Sequence, residues 1–206
     1  YYIAWGSGGI FHKKNILLPV NKFSEYTSAL NTKKNGLLHV LDSSPRYIGA
    51  ILSTHTTEHE IYTNNQKLFI NSIDNKINKG YKLRKNPNYY NKRWSKDFDF
   101  AENTVIDYEK HFIKSIKNNK LIVVTCNETT VLQCLSMNIP TIAYWDPKHV
   151  VLEDSVITDY KKLYDIGILF NSPEEAAKLV NEKWDTIDIW WNMPELQSIR
   201  SEFCNK

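Results

Sequence analysis

The sequence predicts an α/β fold: a mainly parallel sheet with helices on both faces. Short β-rich apolar runs alternate with longer stretches of helical spacing along the chain. Residues 121–125, Leu-Ile-Val-Val-Thr, are apolar at consecutive positions, as a strand buried on both faces must be. Ser172-Pro173-Glu174-Glu175 is a helix start, with Ser as N-cap, Pro at the first helical position and Glu at the third.

The elements follow in order. The chain opens in an apolar run, Tyr1-Tyr2-Ile3-Ala4-Trp5, with no initiator Met, and is expected to be a fragment whose N-terminal partner domain is missing. Gly6-Ser7-Gly8-Gly9 lacks the G-x-G-x-x-G spacing of a dinucleotide fingerprint and is expected to be a linker turn. Strands are predicted at 16–20, 37–41, 81–83, 121–125 and 141–144, with a weaker one at 167–170. A helix over 58–77 places Ile61, Leu68, Phe69, Ile73 and Ile77 on one face. A second, over 108–116, does so with Tyr108, Phe112, Ile113 and Ile116. Further helices are predicted over 129–137, 150–164, 173–184 and 195–203, the last opened by Pro194. Residues 85–103 are polar and aromatic without periodicity, and are expected to form a long loop or irregular insertion.

Composition narrows the function. With 206 residues, 42% hydrophobic, the chain can bury a real core. A net charge of +3 is too small to argue for nucleic acid or an anionic membrane surface, so no nucleic-acid partner is expected. Three cysteines, none in a Cys-x-x-Cys pair, make neither an even disulfide framework nor a zinc site, which suits a reducing compartment. No run approaches the ~18 apolar residues of a membrane span, and no signal peptide opens the chain. A cytoplasmic protein without a transmembrane segment is expected, peripheral at the inner membrane at most.

In such a sheet ligands bind beyond the C-terminal ends of the strands. The strongest constellation there is Thr125-Cys126-Asn127-Glu128-Thr129-Thr130, where a buried strand runs into a helix. Free N–H groups and the helix dipole favour a phosphate there, and simple N-capping by Asn127 or Thr129 is the alternative. Asp42-Ser43-Ser44-Pro45-Arg46 also follows a strand, and Arg46 can hold a phosphate in a bidentate fork or stand solvated on a turn. Lys82, Arg84 and Lys85 are three cations at another strand end, either for an anion or as a solvated basic edge. Trp145, in Tyr144-Trp145-Asp146-Pro147, can stack on a base or sugar or pack in the core. Asp154 or Glu153 can accept from ribose hydroxyls or open a helix. His55 and His59 lack the H-E-x-x-H order, so no metal is expected.

Several of these residues form a wider pattern. Asn127-x-Thr129-Thr130, Leu135-Ser136-x-Asn138-x-Pro140-Thr141-Ile142 and Tyr144-Trp145-Asp146-Pro147 resemble a family of transferases encoded in bacterial O-antigen and other surface-polysaccharide loci. Ser172-Pro173-Glu174, Trp184-Asp185, Trp190-Trp191-Asn192-x-Pro194-Glu195 and Phe203-Cys204 agree with it. Trp5-Gly6, Ser44-Pro45-Arg46-Tyr47 and Leu83-Arg84-x-x-Pro87 fit it more loosely. That family looks like GT-B glycosyltransferases, two Rossmann-like domains with the active site between them. The resemblance implies that residues 1–206 are a single Rossmann-like, three-layer α/β/α domain binding a nucleotide-activated sugar (CMP-, UDP- or GDP-linked). The acceptor would be a glycan or lipid-linked glycan, and neither cofactor nor metal is implied.

By the same resemblance, Asn127, Thr129, Thr130, Arg46 and Arg84 would meet the donor phosphate. Ser43, Ser44, Asn88, Trp145 and Asp154 would meet nucleotide or sugar. Asn88 stands where the family pattern leads one to expect His, and Glu128 where a small residue is expected. Asn88 cannot transfer a proton, and Glu128 opposes an anion. No catalytic base is identified, and the chain alone is expected to bind donor without turnover. A polyol-phosphate transferase, a sugar-nucleotide epimerase and a non-catalytic sugar- or protein-binding module remain open alternatives.

Overall fold

The computed structural model describes residues 2–5, 15–18, 35–41, 59–85, 104–127, 129–148, 150 and 152–204. Eight strands appear among them. β1 (Tyr2–Trp5) and β2 (Asn15–Leu18) pair in parallel as a separate two-stranded sheet. The opening apolar run is therefore a strand, and the run predicted at 16–20 pairs with it, not with the main sheet. The other six are β3 (Gly36–Val40), β4 (Tyr81–Arg84), β5 (Val105–Ile106), β6 (Asn119–Val124), β7 (Thr141–Tyr144) and β8 (Leu169–Phe170). They form one parallel sheet in the order β5-β4-β3-β6-β7-β8. Counted from β3, this is the 3-2-1-4-5-6 order of doubly wound nucleotide-binding sheets.

The helices are α1 (His59–Ser72), α2 (Asn75–Asn78), α3 (Phe112–Lys117), α4 (Thr129–Ser136), α5 (Asp154–Asp165), α6 (Pro173–Lys183), α7 (Ile187–Trp191) and α8 (Pro194–Cys204). They cover both faces, as a side-chain parity argument shows. Thr141 and Tyr144 lie three residues apart on β7 and so point to opposite faces. The Thr141 hydroxyl lies beside the buried Cys134 thiol of α4, whereas the Tyr144 ring stacks on Phe69 of α1 at 5.3 Å. Helix α6 packs on α1, and α8 packs on α4 and α5. The result is a Rossmann-like three-layer sandwich. At its centre Leu121, Ile122, Val123 and Val124 are fully buried, as their unbroken apolarity requires.

Two helix ends explain the strand starts that follow them. Helix α4 ends in a Schellman motif, with Asn138 at φ 54° and bonds from Asn138 N to Leu135 O and Ile139 N to Cys134 O. Helix α5 ends likewise, with Gly167 at φ 80° and bonds from Gly167 N to Tyr164 O and Ile168 N to Leu163 O. The strand predicted from 167 therefore begins only at Leu169, because Gly167 is a helix cap.

The helix predicted over 58–77 breaks after Ser72, because Asn181 of α6 satisfies both sides of the break. Its amide donates to Ser72 O at 2.8 Å, and its Oδ1 accepts from Asp74 N at 2.8 Å. The helix predicted from 108 begins at Phe112, with Tyr108 exposed. The stretch before it contains β5, too short for periodicity to reveal. Ser172 caps α6 as predicted, accepting from Glu175 N. Among the described residues no helix is long and apolar enough to cross a membrane.

Candidate functional site

β3 and β6 are neighbours at which the strand order reverses, and in sheets of this kind ligands bind beyond the carboxyl ends at that switch point. There Thr125 ties the strands together: its N–H and its Oγ1–H both donate to Val40 O, at 3.3 and 3.0 Å. With that hydroxyl proton committed, Thr125 Oγ1 accepts from the Tyr62 hydroxyl of α1 at 2.6 Å.

Two residues on, half-buried Asn127 accepts from the Tyr160 hydroxyl of α5 at 2.6 Å. Helix α4 starts at once, with Thr129 exposed and Thr130 half-buried in its first turn. Tyrosines from the two helical layers thus flank the end of β6, and the N–H groups of α4 open beside it. A helix start carries roughly half a positive charge, which suits an anion.

Trp145 is 7% exposed and meets the Tyr160 ring edge-on at 6.2 Å. It is therefore packed as a wall of the core, against Tyr160, and does not offer a face for stacking on a base. Phe203 of α8 also meets that ring, at 5.3 Å and 84°. Asp154 is exposed at the first position of α5, and Glu153 before it makes no side-chain cap.

Arg84 also departs from its expected place at the phosphate. It is 6% exposed, and its Nη1 donates to Asp107 Oδ2, Ser115 Oγ and Glu109 O, each at 2.8 Å, with Phe112 under the guanidinium. A strand-end arginine looks the same in sequence whether it faces a ligand or an internal carboxylate. Desolvation pushes the Asp107 carboxyl up, but bonds from Ser115, Arg84 and the Glu109 backbone outweigh it, so the group sits below the usual carboxylate value.

Between β3, β4, β7 and α1 lies a buried polar network that sequence reasoning missed. His39 Nε2 meets Gln66 Oε1 at 2.9 Å, and Nδ1 meets the Tyr81 hydroxyl at 2.6 Å. Tyr144 donates to Gln66 Oε1 at 2.6 Å, and Gln66 Nε2 donates to Tyr62 O. Gln66 Oε1 can only accept, so His39 Nε2 carries the proton and Nδ1 accepts from Tyr81. The ring is neutral, and burial lowers its pKa to about 3 against the weaker upward pull of Gln66. The one available signal was a His in the otherwise apolar run 37–41.

Ser43, Ser44, Arg46, Asn88, Glu128 and His55 lie outside the described residues. The structure gathers Asn127, Thr129 and Thr130 at one strand end, sets Asp154 at the start of α5 and removes Arg84. Among the described residues no group of three or more His, Cys, Asp or Glu gathers as a metal site.

A family model described as LIC12162 family transferase matches residues 1–206. No curated protein matches significantly. Among solved structures the chain is similar to the wall teichoic acid polymerase TagF, at 12% identity and a TM-score of 0.41, covering 89% of this chain and 41% of that one. A substituted form of that polymerase matches at 12% identity and a TM-score of 0.41, covering 89% and 43%. The chain spans about two fifths of the length of these structures.

Proposed function

The chain belongs to the LIC12162 family of transferases, and from that premise we propose that it is the donor-binding part of a glycosyltransferase in bacterial surface-polysaccharide synthesis, of LPS O-antigen or capsule. The donor is a nucleotide-activated sugar, CMP-, UDP- or GDP-linked, and the acceptor is a glycan or lipid-linked glycan met at the cytoplasmic side of the inner membrane. The observation that carries this reading is the meeting of Asn127 and the first turn of α4 at the switch point between β3 and β6.

Glycosyl transfer requires charge to be stabilised on the departing phosphate. Fixed N–H donors of α4, with the Asn127 amide and the Thr129 and Thr130 hydroxyls, supply that stabilisation without reorganising as the bond breaks. Arg46 adds the cation, and Ser43, Ser44 and Asn88, which follow β3 and β4 in the sequence, add polar contacts. Asp154 accepts from a ribose hydroxyl. In this scheme arginine and N–H donors carry the charge, and no step calls on a metal.

Calorimetric titration with CMP, UDP and GDP, each with and without magnesium, tests the reading. Saturable binding of one nucleotide is expected, weakened by Thr130→Ala and by Arg46→Ala. Absence of binding to all three would overturn it.

A further inference from the structure

We propose that Tyr160 is a positioning residue, fixing which end of the Asn127 amide faces the donor phosphate; the inference rests on the donor-binding reading above. An asparagine amide has two ends of nearly equal shape, an accepting Oδ1 and a donating Nδ2. Unheld, the amide can rest with either end toward the site before an anion binds, and must then turn to present its N–H groups. The Tyr160 hydroxyl donates to Oδ1 at 2.6 Å. That bond assigns the carbonyl to Tyr160 and leaves the N–H end for the side where the anion binds. The phenol keeps its proton through neutral pH, since burial raises its pKa.

The aim of that hydroxyl is set by packing. The Tyr160 ring packs against Trp145, at 6.2 Å and 61°, and against Phe203, at 5.3 Å and 84°. Trp145 ends the loop-side of β7, and Phe203 lies in the last turn of α8. The C-terminal helix therefore reaches the site through one aromatic ring. This gives the buried Trp145 a part in donor binding that needs no contact with the donor.

The test compares wild type, Tyr160→Phe, Asn127→Ala and the double variant. Tyr160→Phe keeps the ring and its packing and removes only the hydroxyl. The Asn127 side-chain amide pair in ¹⁵N–¹H spectra should shift in Tyr160→Phe, with the backbone pattern elsewhere retained. Affinity for the bound nucleotide, and for inorganic pyrophosphate, should fall roughly fivefold to tenfold, the scale of one hydrogen bond. In an Asn127→Ala background the same change should cost nothing further, which separates positioning from general packing.

An unmoved amide pair, or a moved pair with unchanged affinities, overturns the inference while leaving the donor-binding reading in place. Binding of pyrophosphate but of no nucleotide, with loss in Tyr160→Phe, supports the positioning role and sinks the nucleotide reading. Absence of both ligands overturns the two together.

Discussion

Arg84 carries its charge under the surface, and the cost of burying it is met by one carboxylate, one hydroxyl and one carbonyl. Such a pair contributes little beyond a well-packed apolar substitute, yet removing one partner strands the other. Asp107→Asn should therefore destabilise the fold by about 2 kcal/mol, read from urea midpoints, a figure below the fully buried case because Asp107 keeps some exposure. Asp107 has a depressed folded pKa, so its contribution is present above the ordinary carboxylate range and is lost as pH falls through the folded value. Wild type should lose more stability than Asp107→Asn on acidification below that range; equal losses would remove the ion pair from the account. Arg84 shows the limit of sequence reading, since its partners lie 23 to 31 residues away in the chain.

At the scale of elements, chain direction is set by caps. The α4-to-β7 turn holds Asn138 in left-handed backbone, and the Asn138 side chain also accepts from Trp191 Nε1 at 2.9 Å. Asn138→Gly should keep the turn and lose only that bond. Asn138→Ala must lose the bond and also bear about 1 kcal/mol of left-handed strain. The alanine variant should melt lower than the glycine variant; the reverse order would discard the cap as the reason for asparagine here. Ser172→Ala removes the acceptor for Glu175 N and should cost about 1 kcal/mol of stability by chemical denaturation. Both caps use local chemistry. The break between α1 and α2 does not, because Asn181 arrives from α6, more than a hundred residues on.

For the molecule as a whole, His39 joins β3, α1, β4 and β7 through Gln66, Tyr81 and Tyr144. The unfolded chain takes a proton at this site near the ordinary histidine value of 6.5, whereas the folded chain refuses it until about 3. Stability from a neutral His39 is thus complete above the unfolded pKa and declines as pH falls from about 6.5 toward 3, by up to about 1.4 kcal/mol per pH unit. Between pH 7 and pH 5 the wild type should lose about 2 kcal/mol more than His39→Phe does, read as the difference of urea midpoints. Equal losses in the two proteins would mean that His39 is not held neutral. The phenylalanine variant should also be less stable at pH 7, because Tyr81 and Gln66 lose their partner.

The sequence by itself determined the α/β class, the strands at β3, β4, β6 and β7, the cap at Ser172 and the position of Asn127, Thr129 and Thr130 at a strand end. Each rests on short-range rules: apolar periodicity, capping chemistry, and the strand-to-helix step that exposes N–H groups. Tertiary structure alone decided that Arg84 faces Asp107, that Trp145 is a wall, that Tyr62 and Tyr160 meet the two ends of the Thr125–Asn127 turn, and that His39 is neutral. Those outcomes depend on which groups the strand order brings together across 23 to 105 residues of chain. A side chain's partner, and with it its charge and its role, is set by proximity in space, which spacing along the sequence does not contain.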